Sequence, residues 1–128
     1  MTARGARPGS GGNVELYGWF FMRVSGVVLL CLAVFHLLYM HLVIGVDNID
    51  YMVIAKRWEN PAWRLFDLLL LVFAFTHGAN GVRQVLDDVL ERGTLKVAAK
   101  WAVYVAVAIL ILMGAQIIFT FQAPAGAA

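Results

Sequence analysis

The chain reads as an all-α membrane protein with three transmembrane helices, the N-terminus cytoplasmic and the C-terminus outside. Composition is the first reason. Of 128 residues, 62% are hydrophobic and only 14% charged, and the mean hydropathy is +0.78. A soluble domain of this length cannot hide that much apolar surface, because a small globule leaves much of itself exposed. The second reason is length: three stretches each supply the about 20 apolar residues that cross a roughly 30 Å hydrocarbon core. The third is the distribution of Lys and Arg, seven of which fall in the predicted cytoplasmic segments against three in the first connection.

Residues 1–14 hold Gly5, Pro8, Gly9, Gly11 and Gly12 and are expected to form a flexible tail. The membrane domain is expected over residues 15–122. Tyr17 and Trp19 suit the headgroup level, and the first helix is predicted over residues 19–45. A polar connection, residues 46–62, carries Asp47, Asn48, Asp50, Lys56, Arg57 and Glu59, and Asn60-Pro61 marks the start of the second helix. That helix is predicted over residues 63–86. A short charged turn follows at 87–96, then the third helix at 97–121 and a tail at 123–128. Trp58, Trp63, Trp101 and Tyr104 fall near helix ends and fit an interfacial belt.

The N-terminal side and the second connection together hold Arg4, Arg7, Arg23, Arg83, Arg92, Lys96 and Lys100. The first connection holds only Lys56, Arg57 and Arg64, and the final tail holds none. This asymmetry sets the predicted orientation. The scattered basic residues carry no nucleic-acid signal. Little chain remains outside the spans, so no independent soluble catalytic domain is expected. The single cysteine, Cys31, can form no internal disulfide and is expected as a small core residue. No cleavable signal is expected, since the first hydrophobic run is too long for one.

His77 is the residue that most needs an explanation. An imidazole deep in a membrane helix is costly and marks a hydrogen bond, a proton relay or a metal or haem ligand. At about 100° per residue, His77, Gly81, Gln84 and Asp88 share one face, with Asp88 about 16 Å further along. Gly78 and Gly81 remove bulk beside the ring and admit a flat ligand or a closely packed helix. Both readings stand at this point: an axial haem ligand in an apolar surround, or a buried hydrogen bond to a neighbouring helix. Arg23, at the predicted cytoplasmic edge, either snorkels to lipid phosphates or clamps a haem propionate or quinone oxygen. Ser25 offers a hydroxyl to a quinone carbonyl or simply packs. His36 and His41 point about 140° apart. His41 is interfacial. His36 lies at a different depth from His77, so it is either a buried hydrogen-bonding residue or the ligand of a second, outer haem. Gln116 is expected to bond a partner helix.

The segment His77-Gly78-Ala79-Asn80-Gly81-Val82-Arg83-Gln84-Val85-Leu86-Asp87-Asp88, with Arg23-Val24-Ser25-Gly26 opening the first helix, resembles the small hydrophobic anchor subunit of succinate dehydrogenase (succinate:quinone oxidoreductase, complex II). The resemblance implies an anchor without dehydrogenase chemistry of its own. A flavoprotein subunit would oxidise succinate, an iron–sulfur subunit would carry the electrons, and a quinone, ubiquinone or menaquinone, would receive them. Two anchors would share a b-type haem, with His77 as the axial ligand from this chain and the other from a second, cytochrome b anchor. Arg23 matches the basic residue near haem propionates and quinone, and Asp88 the acidic residue near the quinone pocket. The expected location is the inner (cytoplasmic) membrane, as a multi-pass protein. Val89 departs from the pattern, which has a quinone-bonding tyrosine there. A fumarate reductase anchor shares this architecture, and a structural or assembly membrane protein is the alternative of a different class. A proton-conducting component is disfavoured, because residues 68–75 hold no ionisable group.

Overall fold

A computed structural model describes residues 11–91 and 93–122, with side chains from Leu16 onward. Arg4, Arg7, Arg92 and the tail 123–128 lie outside that range. The order is helix α1 (Gly11–Leu38), a π-helical continuation (Tyr39–Gly45), a 3-10 turn (Val46–Asn48), a short helix α2 (Tyr51–Arg57), then α3 (Pro61–Val89) and α4 (Thr94–Thr120). No strand occurs among the described residues. Three segments are long and apolar enough to cross a membrane: Leu16–Asn48, Pro61–Val89 and Thr94–Thr120. The three predicted spans are thus present, each with ends a few residues from those expected. The first helix begins at Gly11, inside the stretch expected as tail.

Local chemistry sets the breaks. Gly45 ends the first span at φ +83, a left-handed conformation that costs glycine little. There the Asn48 side-chain amide donates to the Ile44 carbonyl at 3.0 Å. Asp50 caps α2 by accepting from the Val53 N–H at 2.8 Å, and Asn60 caps α3 by accepting from Ala62 at 2.9 Å. Pro61 occupies the first turn of α3, where its missing N–H leaves no bond unmade.

The helices pack antiparallel in a row, α1 on α3 and α3 on α4. Facing pairs define the α1–α3 register. Gly18 lies by Arg83, Met22 by Gly81 and Gly26 by His77. Further along, Phe35 meets Phe66 and Tyr39 meets Trp63. On the other side, a Cβ placed on Gly114 would lie 2.7 Å from Leu71 Cδ2, so α4 approaches α3 closely at its one residue without a side chain. Tyr51 ties the far end together by donating its hydroxyl to the Gln122 carbonyl at 2.6 Å.

A row of three helices closes no core. The buried apolar residues are Met40, Ala55, Ala79 and Ile118, while large side chains along every span are exposed. Cys31 is among the exposed residues: it lies on an outward face of α1, not in a core. Lipid and partner chains must cover these surfaces. Gly114→Leu is expected to force α3 and α4 apart. Overpacking of this kind costs about 1–3 kcal/mol. The expected result is a lower melting temperature of the detergent-solubilised protein, measured by thermal unfolding.

Candidate functional site

The α1–α3 seam builds the site around His77. Ser25, at the midpoint of α1, is as deeply buried as any described residue, at 1% exposure. Its Oγ lies 3.0 Å from His77 Nδ1 and 3.5 Å from the carbonyl of Met22. A Cβ placed on Gly26 would stand 3.4 Å from His77 Cε1, so glycine there lets the ring lie against the α1 backbone. Two edges of the imidazole are therefore fixed by α1. The remaining nitrogen, Nε2, has no hydrogen-bond partner among the described residues and is not a buried atom. On α3, a Cβ on Gly78 would meet nothing within 4 Å apart from its chain neighbours, so that position faces open space. The ring is held by α1 on its Nδ1 side, and Nε2 is left unbonded among the described residues.

The other expected residues fall at the same end of the row. Arg23 is exposed, with its guanidinium over the Trp19 ring at 4.2 Å from the centroid, a cation–π contact that keeps the charge at the helix surface. Arg23 sits about a quarter-turn round α1 from the seam. Gln84 and Asp88 are exposed on α3. Ser25, expected either to offer a hydroxyl to a quinone or to pack, is enclosed in the seam against His77.

The two adjacent aspartates differ sharply. Asp87 is gripped by Lys100 at 2.5 Å, Lys96 at 3.1 Å and Arg83 at 3.5 Å. Lys96 also donates to the carbonyls of Asp87 at 2.8 Å and Leu90 at 3.1 Å, closing the end of α3 onto α4. Asp88 has no ion pair among the described residues. Asp87 ties the end of α3 to α4, and Asp88 is exposed. The alternation follows from the helix, since consecutive residues point about 100° apart.

His36 belongs to a second cluster at the opposite end. Ten residues, about 15 Å, separate it from Gly26, the residue that faces His77. Its ring stacks on Phe66 at 6.3 Å, and Nε2 lies 3.9 Å from Asp67 Oδ1, beyond hydrogen-bond range. Asp67 Oδ2 instead pairs with Arg57 and accepts from the Trp58 indole at 2.6 Å. The Arg57 and Asp67 side chains are 6% and 10% exposed. This ion pair docks α2 against α3 and, with Met40, Leu71 and Phe75, lines a cavity of about 390 Å³. Sequence reasoning missed it. An acid at Asp67 inside an otherwise apolar helix was the available signal, with Arg57 ten residues earlier as the only nearby connection residue able to fork onto it. His41 is exposed and donates Nδ1–H to the Leu37 carbonyl at 2.9 Å. Gln116 is exposed on α4.

Among the described residues no group of three or more His, Cys, Asp or Glu side chains could hold a bare metal ion. A porphyrin iron asks less of a chain, since one imidazole suffices on each side. The donor set therefore fits haem: a single imidazole whose Nε2 has no hydrogen-bond partner among the described residues.

No individual curated protein matches the chain. The family model described as succinate dehydrogenase/fumarate reductase transmembrane subunit matches residues 7–115. That match covers most of the sequence, and the chain belongs to this family. It is a multi-pass membrane anchor subunit of a succinate dehydrogenase or fumarate reductase complex.

The Arg57–Asp67 pair carries a prediction of its own. Removing one partner of a buried pair strands the other charge, at a cost of about 3–5 kcal/mol, whereas removing both costs less. Arg57→Met and Asp67→Leu singly should each destabilise the protein markedly. The double variant should recover much of the loss, read as a double-mutant cycle from thermal unfolding.

Proposed function

We propose that this anchor binds haem b jointly with a second, cytochrome b anchor and helps form the site where quinone receives electrons from the iron–sulfur subunit. The flavoprotein subunit of the same complex oxidises succinate. The observation that carries the proposal is the state of His77: Nδ1 engaged by Ser25 of α1, Cε1 against Gly26, and Nε2 without a hydrogen-bond partner among the described residues. An imidazole used only for helix packing would need no open second edge.

In this reading His77 Nε2 supplies the axial lone pair from this chain, and the second ligand comes from the partner anchor. Haem, when bound, supplies a one-electron redox centre inside the membrane. Arg23 supplies a fixed positive charge at the same end, for a haem propionate or a quinone oxygen; Arg is suited to both because its guanidinium donates in parallel pairs. Quinone reduction takes up protons as well as electrons. Asp88, free of the lysines that hold Asp87, is placed to pass a proton from the aqueous edge. Val89, exposed next to it, has no donor, so the quinone's remaining hydrogen bonds come from partner subunits. The basic residues at this end orient it toward the cytoplasm, placing the C-terminus outside an inner membrane. The succinate dehydrogenase direction rests on the likeness of the His77–Asp88 segment. A fumarate reductase anchor would use the same residues.

His77→Ala is expected to abolish the b-type α-band in the dithionite-reduced spectrum of the purified complex. An undiminished band in that variant overturns the haem assignment. His36→Ala should leave the band whole, and a partial loss there would establish a second, outer haem. Asp88→Asn should lower quinone reduction by about 10²-fold, the low end of what a positioned acid–base group contributes. Reduction of an artificial dye by the soluble subunits should stay unchanged. Equal quinone and dye rates to the unmodified complex would remove Asp88 from the site.

A further inference from the structure

Ser25 is the only fully enclosed polar side chain in the described chain, and it touches two partners. Its Oγ lies 3.5 Å from the Met22 carbonyl and 3.0 Å from His77 Nδ1. A carbonyl oxygen can only accept, and a serine hydroxyl has a single proton. Both contacts are hydrogen bonds together in one arrangement: Ser25 O–H donates to Met22, and His77 Nδ1–H donates to Ser25 Oγ. The imidazole proton is then on Nδ1, and the lone pair is on Nε2, the open edge of the ring. The reverse arrangement, with Ser25 donating to Nδ1, would put the ring proton on Nε2 and block ligation.

We propose that Ser25 is the positioning residue that fixes the tautomer and tilt of His77 and, through Nδ1, tunes the electron donation of Nε2 to a metal. This rests on the haem reading above. The backbone of α1 completes the clamp. Gly26 admits the ring to within van der Waals contact, and Met22 both receives the hydroxyl proton and packs toward Gly81. Such outer partners of ligating histidines fix ring orientation and raise ligand basicity. A more basic imidazole favours ferric over ferrous iron, so Ser25 should hold the midpoint potential of the haem lower than it would otherwise be.

The test is Ser25→Ala in the assembled complex, with three readouts: haem content, the reductive midpoint potential of the haem, and the low-spin ferric electron paramagnetic resonance spectrum. Alanine removes the acceptor while leaving a small residue that fits the seam. Haem affinity is expected to fall by about 10–100-fold, as for other outer-sphere partners of metal ligands. The potential should move positive, and the resonance g values should shift as the ring loses its fixed tilt. If Ser25 only packs helices, the variant melts earlier but keeps the parental potential and g values, and that outcome overturns the inference. Ser25→Ala with all three haem readouts unchanged overturns it equally, while leaving His77 as ligand. If His77→Ala itself keeps the parental haem spectrum, the haem reading fails first, and the inference with it.

Discussion

The seam between α1 and α3 is the constraint on which the rest depends. Glycine at position 26 and a small hydroxyl at position 25 let α1 lie against the His77 ring. A Cβ at Gly26 would just reach van der Waals contact with the ring, at 3.4 Å from His77 Cε1, so a side chain larger than alanine would crowd it. The same antiparallel register puts Phe35 and Tyr39 on Phe66 and Trp63 at the far end. One alignment therefore fixes both the imidazole and the aromatic end of the bundle. In a bilayer, where lipid tails offer no hydrophobic drive between helices, close approach through small residues and interhelical hydrogen bonds holds such a seam. Gly114 against Leu71 does for α3 and α4 what Gly26 does for α1 and α3.

The chain is built to be incomplete. With α3 in the middle of a row, both broad faces present apolar side chains, and the polar groups that matter look outward from one end. His77 leaves Nε2 unbonded, Arg23 presents an exposed charge, and Asp88 has no ion pair among the described residues. That arrangement suits a subunit whose family works as part of a larger complex. The opposite end is different in kind. There Arg57 and Trp58 both bond Asp67 Oδ2, and these contacts hold the connection against α3.

Much of this was legible in the sequence, and the physical reason is periodicity. Three apolar runs with polar connections gave the spans, because helix length and bilayer thickness are tied. A histidine flanked by Gly78 and Gly81 stood out because ionisable groups in such a helix are costly. What stayed hidden depended on pairs distant in the chain. Ser25 and His77 are 52 residues apart, so the serine could only be placed on a helix, either facing a quinone or packing, with His77 as its contact unknown. Asp67 and Arg57 join a helix to a connection that reads as loop, and the short helix α2 that ends at Arg57 carries no long apolar period. Asp87 and Asp88 are chemically identical neighbours. Only the turn of α3 and the positions of Lys96 and Lys100 separate the clamped carboxylate from the free one. The π-helical end of the first span, Tyr39–Gly45, has no compositional signature at all.

The most direct test of the account is a structure of the assembled complex containing this chain and its partner subunits. The account predicts a porphyrin between this anchor and a second one, with His77 Nε2 at bonding distance from the iron and Nδ1 still on Ser25. A map in which the His77 ring bonds only to protein, with any haem iron held by other residues, would contradict it.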